Sequence, residues 1–336
     1  GYSSAASDVY KRQFLFLIIR YEKLSYFGEK CKNMTKRKRL KLWKEYRTWP
    51  KWYYHVVLDS IETGQLFNDE SEYVDGMNTV AIAQYIHNVS IVVFNFMINH
   101  GHFLVLATGN DIVNCMSFIF RRINARLIAN GHSPLPENYG FKLIRVKDKK
   151  QLEDTIVYIA RNPLKACPNI AAPGYLWGSC NLIFSDINRL FEKVQIKDLS
   201  DKFCRNTFRT RVKLPENYYF NKTVGMILPE SYVMNGKAEE VLKSSWNYSN
   251  RVVRDFDAYF NLAEGIGELV VLSDEEVNLI IQRMLRNEYK VRFLSDLSVD
   301  ERCRMAIVLR KKYKLDLKRI SRKLHIELNI LKKLFE

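Results

Sequence analysis

No two of the six cysteines stand at C-x-x-C spacing: Cys31, Cys115, Cys167, Cys180, Cys204 and Cys303 are scattered along 336 residues. That pattern excludes a disulfide framework and reads as reduced thiols in a cytoplasmic protein. The chain also lacks an apolar run of bilayer length. Its stretch Phe14 to Ile19 is too short for a convincing signal peptide and has no small-residue cleavage site. Acidic residues are in deficit, 37 against 53 Lys and Arg, which leaves a formal charge of +16. The basic residues recur along the whole chain rather than forming one tail, so a polyanionic partner is the expected reason, a merely basic bacterial protein the alternative. An apolar content of 47% places the chain among globular proteins, and its length suggests two or more units.

Residues 1–33 are set aside as a leader: Gly1 to Gln13 reads as translated adaptor sequence fused to a metagenomic frame, and Met34 as the native start. A basic segment, 34–51, follows. From Trp52 the pattern turns strand-like in WYYHVVLDS, after which Gly64 to Gly76 reads as a polar acidic connection. Asn78 to Ser90 has helical spacing, Ile91 to Ile98 and His102 to Ala107 form a hairpin, and Asp111 is expected to cap a helix running to about Ala129. That helix carries Arg121, Arg122 and Arg126 away from its apolar face. Phe141 to Val146 is the fourth strand, and Gln151 to Asn162 a helix stopped by Pro163. The order β-α-β-β-α-β followed by a helix is the ferredoxin-like arrangement. Further on, Asn181 to Val194 and Glu239 to Phe260 look helical and Pro215 to Pro229 irregular or extended. Three short basic helices from Ser298 suggest a helix-turn-helix module. The expected fold class is therefore α+β: a ferredoxin-like domain over 52–180, an extension of unknown role over 181–297 and a helix-turn-helix-like module over 298–336.

Two short patterns carry chemistry. His100-Gly101-His102 closes a strand, where side chains two apart leave the same face and reach one metal ion. Tyr158 and Asn162 stand four apart on a helix, so phenol and amide can face that ion too. Taken singly, the histidines could be solvated, Tyr158 a surface aromatic and Asn162 the residue a helix tolerates before proline. Leu152, Ile156 and Ile159 supply the apolar face, however, which sets Tyr158 and Asn162 beside it. A metal next to a tyrosine hydroxyl suits attack on a phosphodiester. A structural zinc site needs four ligands, and no thiolate or third histidine lies near in sequence; Mg²⁺ or Mn²⁺ suits the set better.

The string INHGHFLVLA resembles the HUH motif of single-strand endonucleases, although Gly101 stands where a bulky residue is usual. VYIARNPLKA followed by GYLWGS is similar to the tyrosine helix and Trp-Ser segment of REP-associated tyrosine transposases. The resemblance covers roughly Trp52 to Ser179. It implies His100, His102 and Asn162 as metal ligands and Tyr158 as a nucleophile that forms a 5′-phosphotyrosine. It also implies imperfect DNA hairpins as targets and a monomer or homodimer as the working form, in a bacterial, nucleoid-associated setting. Candidate DNA contacts are Lys36, Arg37, Lys38 and Arg39 with the nearby Trp43, Trp49 and Trp52, then Arg121, Arg122, Arg161 and Lys165. Arg319, Arg322, Lys323, Lys332 and Lys333 could add duplex binding, or the module could be a basic cap. The rivals are a DNA-binding regulator that has lost cutting, and an HUH relaxase or replication initiator.

Overall fold

A computed structural model describes residues 35–61, 64–166, 174–187, 191–268, 270 and 272–335, of which 164–166 and 254 by their backbone alone. The leader, Cys31, Cys167 and the side chain of Lys165 therefore lie outside the described residues. The class is mixed α+β. In chain order come α1 (Lys36–Tyr46), β1 (Trp52–Leu58), α2 (Glu70–Ile86), β2 (Ser90–Phe96), β3 (Gly101–Ala107), α3 (Gly109–Ala129), β4 (Phe141–Arg145) and α4 (Lys149–Ala166). The strands make one antiparallel sheet in the order β2-β3-β1-β4.

Strand alternation gives this sheet two unlike faces. Tyr54, Val56 and Leu58 of β1 stand on the same side as Phe94, Phe96, Phe103, Val105, Phe141 and Leu143, and this side joins α2 and α3 in the main core. His55, Val57, Asn95, His102 and Leu104 point the other way, towards α4. Gly101 belongs to the core side of its strand: a Cβ there would sit 3.0 Å from the Phe96 ring and 3.2 Å from the Asn95 carbonyl, which accounts for glycine where a bulky residue was expected.

Several expected boundaries move, each for a physical reason. Helix α2 starts at Glu70, inside the stretch read as a connection. Asp69 caps it by accepting from the Glu72 amide, and burial on nearly every side of the helix leaves no amphipathic stripe to read. The cap of α3 is Thr108, whose hydroxyl accepts from the Asp111 amide and donates to its carboxylate. Helix α4 runs through Pro163 to Ala166. Proline has no N–H for the carbonyl four residues back, Ile159, and Asn95 Nδ2 of β2 supplies the missing donor at 2.8 Å. The same bond pins α4 to the sheet.

The segment GYLWGS covers the free edge of β2: Phe96 N donates to the Trp177 carbonyl, Ser179 N to Phe94, and Ser179 Oγ accepts from Phe94 N. Gly178 is required there, because a Cβ would lie 1.9 Å from Asn95 Oδ1. Beyond it the expected helix over 181–194 is instead a 3₁₀ turn, Cys180–Leu182, and β5 (Lys193–Gln195). Helix α5 (Asp201–Phe208) follows. Strands β6 (Tyr219–Asn221) and β7 (Met226–Ile227) complete a small three-stranded sheet within the stretch expected to be irregular or extended. The helical stretch expected over 239–260 is three helices, α6 (Asn235–Leu242), α7 (Ser245–Arg254) and α8 (Phe256–Ile266). Ser244 and Asp255 break it, each accepting from an amide of the helix that follows.

The chain divides into two compact units, residues 1–268 and 269–336. The second holds α9 (Asp274–Asn287), α10 (Val299–Lys311), α11 (Leu317–Leu324) and α12 (Leu328–Phe335). Its start at 269 rather than 298 reflects α9, which brings Asp274 to Arg319, Arg322 and Lys323 of α11. Among the described residues no helix is long and apolar enough to cross a membrane, and Cys115, Cys180, Cys204 and Cys303 are free thiols.

Candidate metal and tyrosine site

Two turns of logic place the histidines. His102 lies inside β3 opposite Val57 and Asn95, fully buried on the α4 side; His100 ends the tight turn in which Met97 N donates to the His100 carbonyl. Their rings meet edge to face with centroids 5.1 Å apart. His100 Nδ1 is 2.7 Å from Asn99 Oδ1, while Asn99 Nδ2 donates to the Ile61 carbonyl. The second bond fixes the amide orientation, so His100 donates from Nδ1 and the lone pair of its neutral ring lies on Nε2.

The third donor comes from the chain after α8. Glu268 Oε1 lies 3.4 Å from His102 Nε2, and one donor atom from each of His100, His102 and Glu268 falls within 4.8 Å of the others. Two imidazoles and a carboxylate are a chemically reasonable set for a divalent ion. Adjacent donors of one octahedral ion stand about 3 Å apart, so binding would draw the cluster in slightly. His100 and Glu268 keep partial exposure, which leaves an entry path.

Tyr158 joins this cluster directly. Its hydroxyl donates to Glu268 Oε2, its ring stacks on Tyr259 of α8 at 5.0 Å, and His55 and His102 meet it edge-on at 5.7 and 5.4 Å. It is completely buried, where sequence spacing put it on the flank of α4, because α7 and α8 pack on that flank. Burial first, and then the Glu268 carboxylate, hold its hydroxyl protonated well above the usual tyrosine range; Asn162 pulls the other way. Asn162 is buried one turn on, with Nδ2 donating to the Tyr158 carbonyl at 3.2 Å. The carboxylate clustered with the two histidines is thus Glu268, with Asn162 beside the tyrosine.

The expected DNA contacts sort differently. Lys36, Arg37 and Lys38 are exposed on α1, Lys36 pairing with Glu137, and Arg121 is exposed on α3. Arg39 is buried against Asp59 at 2.5 Å, because α1 lies on the domain and not in solvent. Arg122 turns inward, donating to Thr79 Oγ1 and to the Phe208 and Arg209 carbonyls. Arg161 is also withdrawn from any phosphate: it is 3% exposed, donates to the Val252 carbonyl and lies over the rings of Phe256 and Tyr259. Trp43 and Trp49 pack against core aromatics, whereas Trp52 stays exposed with Arg145 over its ring. In the second unit Arg319 and Lys323 are tied to Asp274, while Arg322 keeps two-thirds of its side chain in solvent.

Sequence reasoning missed three participants. Glu268 stands 110 residues after Tyr158 with no local signal. Tyr259 was one aromatic in an apparently featureless extension. His55 was visible as a histidine in a strand, but only strand pairing brings it to His102, Nε2 to Nδ1 at 3.3 Å. The chain matches no protein-family model, no curated protein and no solved structure.

Proposed function

We propose that this protein is a metal-dependent, single-strand-specific DNA transesterase that acts through a 5′-phosphotyrosine on Tyr158, in transposition or in the processing of repetitive palindromic elements. The observation that carries the reading is the carboxylate of Glu268, which faces His102 with one oxygen and accepts the Tyr158 hydroxyl with the other. Support also comes from the strand order β2-β3-β1-β4 with the chain order β-α-β-β-α-β, which fits the ferredoxin-like arrangement expected for such a domain.

His100, His102 and Glu268 are the residues that would hold the ion, and a divalent cation there, Mn²⁺ or Mg²⁺, supplies neutralisation of charge on the phosphate oxygens. Tyr158 Oη attacks phosphorus. The Oη–P bond forms as the P–O3′ bond breaks, and the phenolic proton passes to Glu268, to which the hydroxyl already donates. The departing 3′-oxygen takes a proton from water and becomes a free 3′-hydroxyl. That hydroxyl, or one from another strand, rejoins DNA by the reverse step. Asn162, one turn on in the same helix, donates to the Tyr158 carbonyl. Lys36, Arg37, Lys38 and Arg121, which are exposed, would meet the phosphate backbone. The second unit, with α10 to α12 as a helix-turn-helix-like module, would contact the duplex stem of a hairpin through Arg322 and its neighbours. Such a protein works with bacterial DNA in the cytoplasm.

A second reading, a DNA-binding regulator that no longer cuts, draws on one observation: Tyr158 is fully buried beneath Tyr259. In the nuclease reading, α8 and Glu268 must shift to admit a phosphate. The test is a gel assay for covalent adduct on 3′-labelled hairpin-bearing single strands, with Mn²⁺ or Mg²⁺ and Tyr158→Phe as control. The proposal expects a metal-dependent adduct that the control lacks. Tight hairpin binding with no adduct would transfer the assignment to the regulator.

A further inference from the structure

We infer that His55 is a positioning residue of the metal site: its imidazole holds the ring of His102 so that His102 Nε2 faces the point shared by His100 and Glu268. The inference rests on the metal-site reading above and adds to it a residue from a different strand.

The register dictates the encounter. Val57 of β1 is the direct partner of His102 on β3, and His55, two residues before Val57, leaves the same face of the sheet as the diagonal neighbour. His55 is 2% exposed and His102 wholly buried, so neither ring has solvent to bond with. The two rings are 5.4 Å apart, with His55 Nε2 at 3.3 Å from His102 Nδ1. The opposite nitrogen, His102 Nε2, is the one near Glu268, at 3.4 Å.

A neutral imidazole has one N–H and one lone pair. If His102 is to offer its lone pair from Nε2, its proton must sit on Nδ1, and that N–H points at His55. His55 Nε2 then accepts, with the His55 proton on its own Nδ1. The pairing repeats what Asn99 does for His100, where Oδ1 accepts from Nδ1. Each ligating histidine is thus oriented by an acceptor on its Nδ1 side, one of them an amide in the turn and the other an imidazole in the neighbouring strand. Partners of this sort raise ligand basicity and stop the ring from turning, and their loss costs about 10–100-fold in metal affinity. His55 also touches the nucleophile, with its ring edge-on to Tyr158. One buried side chain therefore spaces the tyrosine helix from the ligand it supports.

The experiment is calorimetric titration of the full chain with Mn²⁺, comparing wild type, His55→Gln, His55→Phe and His100→Ala, each with the melting temperature of its metal-free form. Glutamine keeps an acceptor for His102 Nδ1, whereas phenylalanine keeps a ring of similar bulk with no acceptor. The expected result is a 10–100-fold weaker Mn²⁺ affinity for His55→Phe, near wild-type affinity for His55→Gln, and melting temperatures that do not follow this order. Wild-type affinity in His55→Phe, with binding lost in His100→Ala, would overturn the inference and leave the metal site standing. No Mn²⁺ binding by wild type would overturn the metal reading, and the inference with it. Equal weakening in both His55 variants would assign His55 to packing alone and overturn the positioning role.

Discussion

The two faces of the four-stranded sheet use one backbone for opposite ends. One buries Tyr54, Val56, Phe94, Phe96, Phe103 and Phe141 against α2 and α3, where stacked and edge-on rings fill space and leave little polar to satisfy. The other buries His55, Asn95, His102, Tyr158, Arg161 and Asn162 between the sheet, α4 and α8, each with a polar partner. Dense aromatic packing on one side lets the sheet tolerate a costly set of ionisable groups on the other. The difference teaches where to look for function: a face that hides so many titratable side chains is built for something other than stability.

The largest loss should follow a cavity on the aromatic side. Phe103→Ala removes a fully buried ring that stacks on Phe94 and meets Phe96 edge-on, and urea unfolding should show a loss of about 3–5 kcal/mol. A loss below about 1 kcal/mol would mean the core lies elsewhere. The polar side should instead reveal itself through pH. Burial pulls His55 from 6.5 down to about 4, opposed only in part by Glu268. Between those values the unfolded chain binds a proton that the folded chain refuses. This contribution is therefore full above pH 6.5 and falls as pH drops towards 4, by roughly 3 kcal/mol in all. Unfolding of the metal-free protein between pH 7 and 4.5, compared with His55→Gln, isolates it: wild type should lose more stability over that window than the variant.

The strands of the aromatic face were legible in the sequence as runs of aromatic and β-branched residues, with β2 and β3 as a hairpin. The register that sets Phe94 opposite Phe103 and Val56 opposite Leu143 was not, because these strands are buried on both faces and carry no alternation to read. His100, His102 and Tyr158 were legible because their spacing is local. What was hidden depends on long-range contact. Ile159 loses its helical donor to Pro163 and regains one from Asn95, a compensation that spacing within α4 cannot show. Tyr259 reaches Tyr158 from a helix whose apolar face looked like any other, and Glu268 from the chain just after it, so the depth of burial at Tyr158 could not be read. Arg161 illustrates the same point, for a basic residue three positions after a candidate nucleophile invites a phosphate, while the structure wraps it in Phe256 and Tyr259.

That contrast gives a smaller test. Arg161→Lys keeps the charge but loses the planar stacking on two rings, so it should cost about 1–2 kcal/mol in stability and leave DNA affinity unchanged once the protein is folded. A drop in affinity with unchanged stability would put Arg161 back on the phosphate.

The smallest structural effect should come from the exposed surface, and it completes the comparison by separating charge that binds from charge that packs. Lys38 is exposed on α1. Arg39, the next residue along, is buried against Asp59. Lys38→Ala should change stability by less than about 0.5 kcal/mol, because the side chain is exposed. If it meets a phosphate, the variant should nonetheless lower the slope of log affinity against log salt by about 1 for single-stranded hairpin DNA, since one fewer counterion is released. Arg39→Ala should do the reverse, destabilising the fold by leaving Asp59 buried without its cation, with no change in the salt slope of the molecules that remain folded. Equal salt slopes for wild type and Lys38→Ala would remove Lys38 from the DNA path and leave Lys36, Arg37, Arg121 and the second unit as the surfaces to test.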